Sequence, residues 1–139
     1  ADIKARAAQT GRDVGIYALY QMIIADTDAE AIAQAEDIVA RADHGAIGTM
    51  LASASLDTNV DGTSAQLKSA LEQGLEDGNM AFMGIPVIYG SAETVAREID
   101  SIAEQTGVDG LLFSWPDFVS GIRDFGQQVM PQLKCIEVA

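Results

Sequence analysis

Four side chains near the ends of two apolar runs could bear on a ligand: Gln21, Ser114, Trp115 and Asp117. Ser114, Trp115 and Asp117 follow the run Leu111-Leu112-Phe113, where a hydroxyl, an aromatic wall and a carboxylate can line a pocket for a small molecule. A plainer reading stands beside that one. Asp117, next to Pro116 at the start of an apolar-periodic stretch, is equally a helix cap, and Trp115 is equally a packing residue. Gln21 interrupts a long apolar run, where a buried amide needs partners that a barrel lumen, a ligand or a core hydrogen bond would supply. Gly90-Ser91 opens a helical pattern whose free N–H groups could hold a phosphate, but Ser is a preferred N-cap wherever a helix begins, and the cap is the simpler account. His44, the one histidine, lies in turn-like sequence that suits a surface or capping role better than catalysis. The methionines at 22, 50, 80, 83 and 130 read as core filling rather than a ligand set. No G-x-S-x-G, Walker loop, H-E-x-x-H or G-x-G-x-x-G is present, so no catalytic residue and no metal ligand is identified.

The elements that must position these residues are alternating strands and helices. Val14 to Ala25 reads as a strand with Tyr17, Leu19, Gln21 and Ile23 on one face and Ile16, Ala18, Tyr20, Met22 and Ile24 on the other. Thr27 with Glu30 forms a capping box for a helix to about Asp43, with Ile32, Ala35, Ile38 and Val39 as its buried stripe. Val87-Ile88-Tyr89 reads as a second strand, and Val95, Ile99 and Ile102 mark a helix that Gly107 stops. The continuous run Leu111-Leu112-Phe113 suits a strand covered on both faces. Phe118, Ile122, Phe125 and Val129 then form one helical stripe before Pro131. The helical crossover predicts that strands 87–89 and 111–113 are parallel neighbours, with functional residues at one shared C-terminal edge. Residues 44–84 break the rhythm: glycines, a Ser/Ala run, a short helix near Ile47 to Leu51, then a Thr63/Gln66 capping box before Leu67, Leu71 and Leu75. This insertion is expected to cover the functional edge.

Charge and cysteine content narrow the partners. Twenty-one acidic residues against eight basic ones give a formal charge of −13, which repels nucleic acid and anionic lipid. Cys135 is the only cysteine, so no internal disulfide forms, and a reducing cytoplasm is the expected compartment. No run is long enough to span a membrane. A chain of 139 residues suits one domain but falls well short of the roughly 250 residues of a closed eight-stranded βα barrel. The absence of an initiating Met suggests a true N-terminus elsewhere.

Several stretches, in order and at matching spacing, resemble the C-terminal end of bacterial-luciferase-like, flavin-dependent monooxygenases: Thr10-Gly11-Arg12-Asp13-Val14-Gly15, Asp26-Thr27-Asp28, Gly90 to Ala96, Gly107 to Phe118, and Gly121-Ile122 through Phe125-Gly126 to Pro131. Within that family the chain looks most like the pyrimidine monooxygenase branch. The resemblance implies an α/β fold, about strands 6–8 of a (β/α)8 TIM barrel with their helices, and a helical insertion between strands 6 and 7. It implies an enzyme using reduced FMN, supplied by a flavin reductase, and O2 to oxygenate a small pyrimidine-like heterocycle or amide. A sulfone or sulfonate monooxygenase, a deazaflavin-dependent oxidoreductase and a non-catalytic flavin-binding barrel fragment are the alternatives. In the related alkanesulfonate enzymes the positions matching Gln21, Trp115 and Asp117 face the substrate but hold His, Tyr and His. The FMN site is expected outside this chain, which alone should be inactive. The remaining N-terminal part of the barrel and further copies in a homo-oligomer are the expected partners.

Overall fold

The computed structural model describes residues 2–54, 69 and 79–136. The first helix, α1 (Asp2–Gln9), precedes β1 (Tyr17–Ile24), α2 (Asp28–Ala40) and α3 (His44–Ala54). A 3-10 turn at Asn79–Phe82 leads into β2 (Val87–Gly90), α4 (Ala92–Thr106), β3 (Gly110–Ser114) and α5 (Phe118–Asp124). A π-helical turn at Phe125–Val129 and a 3-10 turn at Met130–Gln132 follow. The Thr63/Gln66 capping box and the stripe Leu67, Leu71 and Leu75 lie outside the described residues. The Thr27/Glu30 box is present, each side chain accepting the other's backbone N–H, and Gly107 ends α4 at φ 63°, a backbone that favours glycine.

The three strands are parallel and lie in the order β2-β1-β3, which corrects the expectation that β2 and β3 are neighbours. β1 is long enough to serve both. Its C-terminal half, Gln21 to Ile24, pairs with Val87 to Gly90, and Tyr17 to Gln21 pairs with Gly110 to Ser114. Successive residues of a strand turn their N–H and C=O to opposite edges. The Gln21 N–H therefore donates to the Pro86 carbonyl at 2.8 Å, while the Ile16 carbonyl, on the other edge, accepts from the Asp109 N–H at 2.8 Å. The ladder to β2 stops at Gln21 because the next partner, Pro86, has no N–H to offer the Leu19 carbonyl.

Two apolar clusters show that α2 and α4 cover opposite faces. Met22 and Ile88 pack with Val95, Ala96 and Ile99 of α4 and with Val129, whereas Ile23 packs with Ala31 of α2 and Phe82. Since Met22 and Ile23 are adjacent, they point to opposite sides of the sheet, as the alternation in the sequence predicts. The expected double cover of Leu111-Leu112-Phe113 is not what the structure has. Leu111 and Phe113 pack against the α4 cluster, but Leu112 is 53 % exposed on the other face beside Leu19 and Tyr17, because α2 lies over β2 and the end of β1. Two helical stripes are corrected in part. In α2 the expected Ala35, Ile38 and Val39 pack against the Ile23 cluster, but Ile32 is exposed and Ala31 is buried in its place, its small side chain letting the helix approach Ile23 closely. Phe118 and Ile122 are exposed while Phe125 and Val129 pack inward, the Trp115 ring lying between Phe118 and Phe125. Met22 fills the core, but Met50 and Met130 are exposed, so core filling does not extend to them.

Truncating the centre of this sheet should be costly and truncating its open face should not. Met22→Ala is expected to lose about 2–5 kcal/mol in urea unfolding, and Leu112→Ala to change stability by no more than about 0.5 kcal/mol. Equal losses would contradict the packing described.

Candidate functional site at the strand ends

Parallel strands put all three C-terminal ends on one edge, and the loops that leave it carry Asp28, Gly90-Ser91 and Ser114 to Asp117. The sequence candidates divide there. Gln21 and Ser114 are register partners on neighbouring strands, both partly buried on the face that Leu19 and Leu112 also occupy. Neither side chain bonds to a described residue, so an amide and a hydroxyl stand together with free polar groups. Trp115 turns to the opposite face and packs against Phe113 and Phe125, with ring centroids 6.2 Å away in each case. Its indole Nε1–H is buried and has no acceptor among the described residues.

Asp117 forms the cap. Its carboxylate accepts from the N–H groups of Val119 and Ser120 at 2.9 and 3.3 Å, and these bonds hold its pKa below the ordinary carboxylate range. His44 is exposed at the first turn of α3, where Asp43, not His44, accepts the Ala46 N–H at 2.9 Å. A crevice of about 120 Å³ separates the end of β1 from α5, bounded by Ile24, Gln34, Trp115 and Ser120. Among the described residues no group of acidic, histidine or cysteine side chains could hold a metal ion.

The residue that sequence reasoning passed over is Asp28. From the first turn of α2 its carboxylate reaches the start of α4, accepting the Ser91 N–H at 2.7 Å and the Thr94 hydroxyl at 3.0 Å. The Ser91 hydroxyl in turn accepts the Thr94 N–H, so Gly90-Ser91 is an N-cap braced by a second carboxylate. Gly90 permits this approach: a Cβ there would sit 2.9 Å from the Asp28 oxygen and 2.8 Å from the Thr94 methyl. The signal available in the sequence was a carboxylate just after a Thr27 cap, with a second bare helix start on the adjacent strand's loop.

A flavin phosphate therefore does not fit these residues. The positive end of α4 already faces the Asp28 anion, which would repel a phosphate, and the crevice at the strand ends holds little more than a few waters. Cys135 offers no activated thiol: partial burial and the nearby Asp100 carboxylate push its pKa up.

Parallel βα units with a ligand edge at their strand ends occur in many enzymes, and the relatives of this chain specify the kind. The chain matches no protein-family model. Over 135 residues, 97 % of its length, it is 35 % identical to pyrimidine monooxygenase RutA of Escherichia coli O81 (strain ED1a) and 34 % identical to that of Escherichia coli O127:H6 (strain E2348/69 / EPEC). It covers 34 % and 36 % of those two proteins, about a third of their length. In fold it resembles EDTA monooxygenase (EmoA) from Chelativorans sp. BNC1, with a TM-score of 0.67 at 20 % identity over 94 % of this chain and 34 % of that one. DmoA from Hyphomicrobium sulfonivorans gives 0.66 at 23 % identity, over 94 % of this chain and 33 % of that one. The resemblance to bacterial-luciferase-like monooxygenases, and to their pyrimidine monooxygenase branch, is borne out over the stretch the chain covers. No helix among the described residues is long and apolar enough to cross a membrane.

Two measurements check the geometry of this edge. Gly121 lies directly on the indole, and a Cβ there would collide with Trp115 Cγ, so Gly121→Ala should cost about 1–3 kcal/mol and shift the Trp115 fluorescence. Asp28, Asp109 and Asp117 all have pKa values lowered by hydrogen bonds: from Ser91 at Asp28, from Lys4 and Ile16 at Asp109, and from Ser120 and Val119 at Asp117. A depressed carboxylate contributes stability above its unfolded pKa of about 4, lost as pH falls through the folded value. The Tm should thus drop steeply below about pH 4, and Asp28→Ala should lower the Tm at neutral pH by a few degrees while flattening the acid limb. An unchanged acid limb would contradict the bracing role of Asp28.

Proposed function

We propose that this chain is the C-terminal part of a luciferase-like (β/α)8 barrel whose whole protein oxygenates a small pyrimidine-like heterocycle or amide with reduced FMN and O2. The observation that carries the reading is the identity of 35 % over 97 % of the chain to a pyrimidine monooxygenase. The three strands are parallel, as barrel strands are, although the order β2-β1-β3 is not the sequential order of a closed barrel. Segment 44–84, in the connection between β1 and β2, is taken as the insertion. A reductase supplies the reduced flavin, and the compartment is the cytoplasm.

In this reading the chain's own share is the substrate side of the pocket. Gln21 and Ser114 are paired amide and hydroxyl groups able to hydrogen-bond a carbonyl and an N–H of a ring amide, whereas Trp115, on the opposite face, supports their strand end by packing. Asp117 acts through the helix it caps, by setting where Trp115 lies. The flavin phosphate is held by residues outside this chain, and homo-oligomer formation belongs to the whole protein.

Two assays test it. The 139-residue chain purified alone should be colourless, and the longer protein should consume O2 with reduced FMN and a pyrimidine. One FMN bound per isolated chain at micromolar affinity, or no O2 consumption by the longer protein with any pyrimidine or cyclic amide, would overturn the proposal.

A further inference from the structure

Resting on that reading, and going beyond it to a rule of selection, we infer that Gln21 determines specificity at the site. Its carboxamide reads the adjacent N–H and C=O of a ring amide, and so discriminates against N-alkylated rings, acyclic amides and anions.

The position of this side chain is fixed from both sides. Gln21 is the one residue of β1 in register with both neighbouring strands, with Val87 on one side and Ser114 on the other, and its N–H donates to the Pro86 carbonyl at 2.8 Å. Every other side chain of β1 is apolar or aromatic. The Gln21 amide is partly buried and has no partner among the described residues. An amide in the middle of a strand costs free energy until its hydrogen bonds are made, and a ligand that made them would offset that cost.

The surroundings suit a flat, neutral molecule. Two residues nearer the start of the strands, Leu19 and Leu112 are register partners on the same face, 45 % and 53 % exposed. An apolar floor thus runs up to a polar end, where a carboxamide and a hydroxyl stand on strands about 4.8 Å apart. Beyond Gln21 the shelf is closed, because α2 and the residues around Phe82 pack over Ile23 and Val87.

The chemistry of the carboxamide supplies the rule. It carries a carbonyl acceptor beside an NH2 donor, so it pairs through two antiparallel hydrogen bonds with a group that presents an N–H next to a C=O. An acyclic secondary amide is trans, and its N–H and C=O point in opposite directions. A six-membered ring holds its amide cis, with both groups directed outward on one side. The Ser114 hydroxyl, a donor and an acceptor, then meets the next polar group round the ring. A carboxylate or sulfonate offers no N–H to the Gln21 oxygen, and the Asp28 and Asp117 carboxylates at the same strand ends repel it.

The test uses the longer protein with reduced FMN and O2, uracil as substrate, and 1,3-dimethyluracil, which keeps the ring and both carbonyls but has no N–H, as competitor. In the wild type the Ki of the dimethyl compound should exceed the KM of uracil at least about 100-fold. Gln21→Leu should raise the uracil KM at least about tenfold, leave the Ki of the dimethyl compound within about threefold, and leave the KM for reduced FMN unchanged. Gln21→Glu, of similar shape but able only to accept, should also raise the uracil KM at least about tenfold, so the outcome does not hang on one variant. Competition by the dimethyl compound as strong as uracil's own binding, a uracil KM that neither variant moves, or an equal loss of both compounds would overturn the inference and leave the monooxygenase reading standing. Absence of O2 consumption by the wild-type longer protein with any pyrimidine or cyclic amide would remove that reading, and this inference with it.

Discussion

The structure depends on β1 being hydrogen-bonded along both edges at once. Eight residues with almost no charge give it the length to hold β2 along its last four positions and β3 along its first five. Each neighbouring strand is too short to form a sheet alone. With β1 fixed, Met22 and Ile23 each anchor a different layer, α4 on one side and α2 on the other. The helices are thus positioned by a single dipeptide in the central strand. Removing the pairing on either edge would leave one of these layers attached only through its loops.

The charge arrangement at the C-terminal edge is a consequence of that geometry. Parallel strands bring the starts of α2 and α4 together, and each helix start has N–H groups lacking intrahelical acceptors. Asp28 meets the donors of α4, Thr27 and Glu30 meet those of α2, and Asp117 meets those of α5. The helix starts are thus capped by the chain's own side chains, and the Asp28 and Asp117 carboxylates among them would repel a phosphate. The Gln21 amide, the Ser114 hydroxyl and the Trp115 indole are neutral groups without a partner among the described residues. At the opposite end of the sheet Asp109 has the corresponding task, accepting the Ile16 N–H at 2.7 Å and pairing with Lys4 at 2.6 Å, which ties α1 to the start of β1.

Local features were legible in the sequence because their causes are local. The capping box at Thr27, the stop at Gly107 and the two-residue alternation of β1 depend on neighbours a few positions away, and all are present. The order of the strands was not legible, since a helical crossover fixes direction but not adjacency. The deciding feature, Pro86 ending one ladder halfway along β1, matters only once the register is known. For the same reason Gln21 and Ser114 could be picked out singly but not as a pair, and Asp28 read as part of its own helix although it serves the next one. The exposed Phe118 and Ile122 show a third limit, because regular spacing puts apolar residues on one stripe but does not say how much of that stripe the chain covers.

Strand order is the claim on which the rest stands, and backbone proton contacts in solution report it directly. Nuclear Overhauser spectra of the 139-residue chain should show cross-strand contacts from Ala18 and Tyr20 to Leu111 and Phe113, and from Met22 and Ile24 to Ile88 and Gly90. A ladder of contacts running directly between Val87–Gly90 and Gly110–Ser114, with none from Ala18 or Tyr20 to Leu111 or Phe113, would contradict the account.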